Sequence, residues 1–102
     1  MDQHAVIACF DYTSDSLEPL LEVEDQLESA IHDAGVGEFD GHEIAIDLSD
    51  GSIYMYGPDA EALFAVVRPI LAGADCLRET EVTLRFGPPD VGVHQRVEQL
   101  HA

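Results

Sequence analysis

The sequence contains no lysine and no tryptophan, and its first positively charged side chain is Arg68. Four arginines stand against 21 acidic residues, for a formal net charge of −17 over 102 residues. Positive charge this scarce excludes roles built on neutralising phosphates, so neither nucleic acid nor an anionic membrane surface is a partner. Cysteine is almost as scarce. Cys9 and Cys76 have no motif spacing, which argues against a disulfide scaffold or a cysteine zinc site and reads as free thiols in a reducing cytoplasm. Cys9 sits in an apolar run and reads as a small buried hydrophobe. No apolar run approaches the roughly 20 residues of a membrane span, and no basic-then-apolar opening marks a signal peptide. No repeat, low-complexity segment or linker divides the chain, so residues 1–102 are expected to form a single domain.

What is present is material for a core. Hydrophobic residues make up 46% of the chain, which separates it from disordered acidic sequences that combine high charge with low hydrophobicity. The charge is unevenly placed. Residues 1–67 hold 16 acids and no Lys or Arg, whereas residues 68–102 are nearly balanced. Acidic density peaks from Asp15 to Asp33.

Residues 5–12 form a nearly unbroken apolar run whose length and β-branching predict a strand buried on both faces. Ser14, Asp15 or Ser16 then offers a helix cap, and Leu17, Leu20, Leu21, Leu27, Ala30, Ile31 and Ala34 recur at helical spacing up to a stop at Gly35. Asp50-Gly51 between two alternating runs marks a two-residue hairpin turn. That register places Leu48 opposite Ile53 and Ile46 opposite Met55 on a core face, with Asp47, Tyr54 and Tyr56 on the other. Pro58-Asp59 opens a second helix with Leu63, Phe64, Val66, Val67, Ile70 and Leu71 on its apolar side; Pro69 is expected to bend or end it. Gly73–Arg78 reads as a loop. Val82, Leu84 and Phe86 alternate with polar residues as a half-buried edge strand. Residues 91–100, with Val91, Val93, Val97 and Leu100, leave two outcomes open: a short last strand or a tail draped over the domain.

Strand, helix, strand, strand, helix, strand with right-handed crossovers predicts an α+β, ferredoxin-like βαββαβ fold. Its antiparallel four-stranded sheet carries both helices on one face. The other face is left open, with Tyr54 and Tyr56 on it.

The stretches Gly37–Ile44, Tyr54–Ala60 and Arg85–Pro89 together resemble small uncharacterised acidic bacterial proteins, a domain of unknown function with this ferredoxin-like pattern. The resemblance covers about half the chain and implies a bacterial cytoplasmic protein. It brings no catalytic residue with it.

Two constellations bear on chemistry. The first helix carries like-charge pairs at three- and four-residue spacing: Glu18/Glu22, Glu24/Glu28, Asp15/Glu18, Glu22/Asp25 and Asp25/Glu28. Each costs about 0.2–0.5 kcal/mol, and no nearby Lys or Arg offsets them. Such a face is a docking surface for a basic partner, which would relieve the repulsion. A solvated helix face in a salt-adapted or lysine-poor organism is the plainer reading, since a charged helix face is ordinary and the absence of Lys holds for the whole chain. The second is Glu38, Asp40, His42 and Glu43. Alternate strand residues lie about 6.5–7 Å apart, so Asp40 and His42 with Glu43 are candidate ligands for a divalent cation or candidate proton carriers. No His-x-His or Cys-x-x-Cys spacing accompanies them, so no metal or cofactor is expected. His4, His32, His94 and His101 are scattered, and no nucleophile elbow or glycine-rich phosphate loop is present.

The expectation is a small non-enzymatic protein that acts by association, as an inhibitor or immunity-type binder of a basic partner such as a nuclease. Glu22, Asp25, Glu28 and Asp33 would make charge contacts. Tyr54 and Tyr56 would supply an apolar contact or a homodimer face, unless the C-terminal segment covers them. The alternative is a small-molecule-binding or divalent-metal-dependent domain built on residues 38–43.

Overall fold

The apolar run at the start of the chain forms β1 (His4–Tyr12), followed by α1 (Glu18–Ala34), β2 (Glu38–Ile44), β3 (Asp50–Gly57), α2 (Ala60–Gly73), β4 (Leu77–Arg85) and β5 (Gln95–Gln99) in a computed structural model that describes residues 3–89 and 92–100. Val91 and His101 lie outside the described residues. The strands make one antiparallel sheet in the order β2-β3-β1-β4-β5. The fold is thus α+β, with five strands where four were expected. Residues 95–99 take the strand outcome and pair with the outer edge of β4. β4 is therefore an inner strand, and its alternation reflects a face open to water, not a sheet edge. No helix among the described residues is long and apolar enough to cross a membrane.

One face of the sheet builds the core. Val6, Ala8 and Phe10 of β1 lie beside Met55, Ile53 and Gly51 of β3, and Val6 and Ala8 lie beside Leu84 and Val82 of β4. Leu20, Leu27 and Ile31 of α1 and Leu63, Val67 and Leu71 of α2 close over them. The 3.6-residue period of these apolar positions meets the two-residue period of the strands along this single plane. The opposite face bears Ala5, Ile7, Cys9 and Asp11 of β1. Ala5 is buried and Ile7 half-buried there, whereas Cys9 and Asp11 are exposed, so the second face of β1 is covered only at its start and Cys9 is not a core residue.

Helix α1 starts without a side-chain cap from Ser14, Asp15 or Ser16. The Tyr12 hydroxyl supplies the contact instead, accepting from Leu20 N–H at 3.1 Å and donating to Ser16 C=O at 2.6 Å. Gly35 ends the helix in the left-handed region at φ 65°, where an L side chain is disfavoured. Helix α2 has a side-chain cap, with the Asp59 carboxylate accepting from Glu61 N–H and Ala62 N–H. The helix continues past Pro69 to Gly73. Pro69 and Ala65 are both solvent-exposed, so the backbone bond lost at proline is lost where water replaces it.

The β2–β3 hairpin turns earlier than Asp50-Gly51. Ala45 N–H donates to Asp50 C=O, Leu48 N–H to Ala45 C=O, and Ser49 N–H to the Asp47 carboxylate. Ser49 thereby holds the Asp47 carboxyl below its ordinary range, through its side chain and its backbone. Leu48 adopts φ 60° at the tip. The register shifts with the turn: Ile53 faces His42, Met55 faces Phe39, and Ile46 is fully exposed. Gly51 serves close packing rather than the turn. A Cβ there would lie 2.6 Å from Glu43 O and 3.2 Å from the Phe10 ring.

Candidate functional site

Three surfaces carry the residues singled out above. The first is the outward side of α1. Leu20, Val23, Leu27 and Ile31 turn inward, which leaves Glu18, Glu22, Asp25, Glu28 and Asp33 exposed. Among the described residues, none of these five is paired with an arginine. Arg96 is spent on Glu61 and Glu98, Arg68 lies over the Phe64 ring at 5.8 Å, and Arg85 Nε donates to Gly87 C=O. The Arg96 guanidinium holds the Glu61 carboxyl below its ordinary range by a two-pronged hydrogen bond, at 2.6 and 2.7 Å. Glu24 departs from its neighbours. It is turned inward, which removes it from the like-charge face, and Asp15 precedes the helix. Three repulsive pairs remain on the helix itself: Glu18/Glu22, Glu22/Asp25 and Asp25/Glu28.

The second surface is β2. A register irregularity between Phe39 and Gly41 breaks the alternation that would have put Asp40 and His42 side by side. His42 lies opposite buried Ile53, on the helix side of the sheet, and its Nδ1 is 2.7 Å from Glu24 Oε2. An ionised carboxylate only accepts, so with Glu24 ionised the hydrogen bond is donated by Nδ1–H. Glu43 lies opposite Ser52 on the other face, and Asp40 is exposed. Asp40, His42 and Glu43 therefore do not converge. No group of three His, Cys, Asp or Glu among the described residues is arranged to hold a metal ion. Sequence reading missed the partnership of His42 with Glu24. The one available signal was an acid on the apolar side of an amphipathic helix, between Val23 and Leu27.

The third surface is the open face of the sheet. Tyr54 and Tyr56 lie on it, half-buried beside Ile7 and Ala5 respectively. Thr83 continues the row of Tyr54 and Ile7 across β4, and Val97 of β5, itself 54% exposed, lies opposite Thr83. Two residues further along the strands, the row turns polar. Cys9 Sγ and Ser52 Oγ are 3.4 Å apart, with Glu81 beside Cys9 on β4 and Glu43 beside Ser52 on β2. A shallow recess of about 570 Å³ opens there, ringed by Asp11, Glu43, Asp50, Glu79 and Glu81. Glu79 takes φ 50° at the irregularity in the β1–β4 pairing. Because residues 95–99 extend the sheet sideways, they do not drape over this face.

Among the described residues, His4 and His94 make contacts within the fold. His4 Nδ1 accepts from Ala60 N–H at 3.0 Å at the start of α2, and its ring meets the edge of Phe86. His94 stacks on Phe86 with ring centres 5.2 Å apart, and His32 is exposed in the last turn of α1.

No protein-family model matches the chain, and no curated protein matches it. Among solved structures, the chain is similar to Rv0793 from Mycobacterium tuberculosis, at a TM-score of 0.60 and 18% sequence identity over 88% of this chain and 98% of that one. At that identity the likeness is one of fold.

Proposed function

We propose that this protein acts by association, with the acidic side of α1 and the turn after it engaging a positively charged protein surface. Glu22, Asp25, Glu28 and Asp33 make the charge contacts. An inhibitor or immunity-type role against a basic enzyme is the concrete form, within the cytoplasm of a bacterial cell. The supporting observation is that these four carboxylates are exposed and that no arginine among the described residues is paired with them. A basic partner relieves a repulsion that the folded chain leaves in place and accelerates its own encounter in the same step. We also read β2-β3-β1-β4 with the two helices as a ferredoxin-like unit extended by β5. The metal-dependent alternative has less support, because Asp40, His42 and Glu43 point in different directions.

The test compares the protein with a Glu22→Lys/Asp25→Lys/Glu28→Lys variant. Immobilised protein is expected to retain a cationic protein from lysate at low salt and release it as salt rises, while the variant folds and retains none. Equal retention by the variant removes the α1 face from the account. A thermal shift with Zn²⁺, Mn²⁺ or Mg²⁺ that disappears in His42→Ala would favour the metal reading instead.

A further inference from the structure

The open face of the sheet is ordered by row. One row runs Tyr56, Ala5, Arg85 across β3, β1 and β4; the next runs Tyr54, Ile7, Thr83; the third runs Ser52, Cys9, Glu81. Adjacent rows are about 7 Å apart, two residues along a strand. The middle row is uncharged and continues to Val97 on β5. On β4 the two flanking rows carry opposite charges, Arg85 on one side and Glu81 on the other.

We infer that this face binds a second copy of the same chain, the two sheets stacking about a two-fold axis that runs across the strands along the row of Tyr54, Ile7 and Thr83. Such an axis reverses strand direction and exchanges the two flanking rows. It places Arg85 of each copy over Glu81 of the other, twice in one interface, while Ile7 and Thr83 meet their own counterparts. Self-complementarity of this kind is what an isologous contact requires. On edge strand β2 the same axis brings Glu38 of each copy toward Glu43 of the other, an acidic pair at the rim where salt screens it. Asp11 and Asp50 lie beyond the third row, opposite one another on β1 and β3, and stay at the rim in water.

Three further features favour a second copy. Residues 95–99 are committed to the sheet edge and do not lie over the face. Val97, one of four exposed large apolar residues among those described, is seated on this face rather than on the helical side. The extent is adequate: five strands at about 4.8 Å and seven residues at about 3.4 Å make a face about 24 Å on a side, comparable with the roughly 800 Å² per partner of a standard interface once side-chain relief is included. Sheets packed face to face at about 10 Å bury their inner residues as a core does.

Sedimentation equilibrium tests the proposal on the full chain, at about 0.15 M and about 2 M KCl, conditions between which the Debye length falls from about 8 Å to below 3 Å. A two-chain mass is expected, firmer at high salt because both copies are strongly acidic. Ile7→Arg is expected to give the single-chain mass with an unchanged far-ultraviolet spectrum. Arg85→Glu and Glu81→Arg should each weaken the dimer at low salt, and the double variant should restore it. A single-chain mass in both salts overturns the proposal, as does a dimer that survives Ile7→Arg. A double swap that leaves the dimer as weak as either single change overturns the stated axis. The Glu22→Lys/Asp25→Lys/Glu28→Lys variant should remain dimeric, so failure here and failure of the α1 docking face are read separately.

Discussion

His42 Nδ1 and Glu24 Oε2 are 2.7 Å apart, and through this contact edge strand β2 is fastened to helix α1. Glu24 is 7% exposed, so its carboxylate depends on the histidine as its donor. Removing one partner leaves a buried acceptor without a bond, at a cost of about 1–3 kcal/mol. Replacing both with apolar groups of similar size removes the need and is close to neutral. His42→Ala is therefore expected to lower the urea midpoint clearly, and Glu24→Leu/His42→Leu to recover most of the loss. If His42→Ala unfolds at the wild-type midpoint, the pair contributes no stability.

Tyr12 is expected to behave as a helix cap located one strand away from its helix. Tyr12→Phe preserves the ring's packing against Phe10 and deletes both hydrogen bonds of the hydroxyl. The expected loss is about 1–2 kcal/mol, the range for a lost N-terminal cap. Urea unfolding measures it, and amide exchange at Leu20 should quicken in the same variant. Unchanged exchange at Leu20 would mean that the first turn is held by the backbone alone.

The two thiols should separate kinetically. Cys9 is exposed on the open face, while burial pushes the Cys76 thiol above its ordinary range, with Asp75 and Glu22 adding to the effect. In the single-chain Ile7→Arg variant, a thiol reagent is expected to modify one site rapidly and the other only after unfolding, and adding Cys9→Ser should abolish the rapid phase. The linkage follows the same direction. The folded state keeps a proton that the unfolded chain gives up at the ordinary thiol pKa, so this contribution is complete below that pH and declines as pH rises through it. Two rapid phases in the folded protein would contradict the burial of Cys76.

Much of the fold was legible because periodicity and punctuation agreed. Leu20, Leu27 and Ile31 on α1, and Leu63, Val67 and Leu71 on α2, were marked by spacing and are buried. The hairpin was misread because Gly51 answers to a different constraint: it lies under Phe10 and against Glu43, while the turn is made by Asp47 and a left-handed Leu48. An Asp-Gly pair signals a turn only when no tertiary contact needs the missing Cβ. The strand alternation of residues 82–86 was read correctly, but it reports which face is wet and not whether another strand lies beyond; only pairing with Gln95–Gln99 decides that. Of the candidate site residues, Tyr54 and Tyr56 fall together on the open face as expected. Asp40 is separated from His42 by an irregularity in backbone register that their spacing could not reveal, and Glu43 lies on the other face by ordinary alternation. Glu24 was counted with the solvent-facing acids because sequence shows charge before it shows a distant histidine.

The central claim is that α1 carries a repulsion that the rest of the fold does not cancel. Its most direct test is equilibrium urea unfolding of the protein and of a Glu22→Lys/Glu28→Lys variant, which leaves Glu18 and Asp25 in place, at low and at high salt. The account predicts that the variant is more stable at low salt, since like-charge neighbours at helical spacing become favourable pairs with the remaining acids, and that the difference closes as salt screens both. A variant less stable than the parent at low salt would show that these carboxylates are already compensated within the folded chain, and would contradict the account.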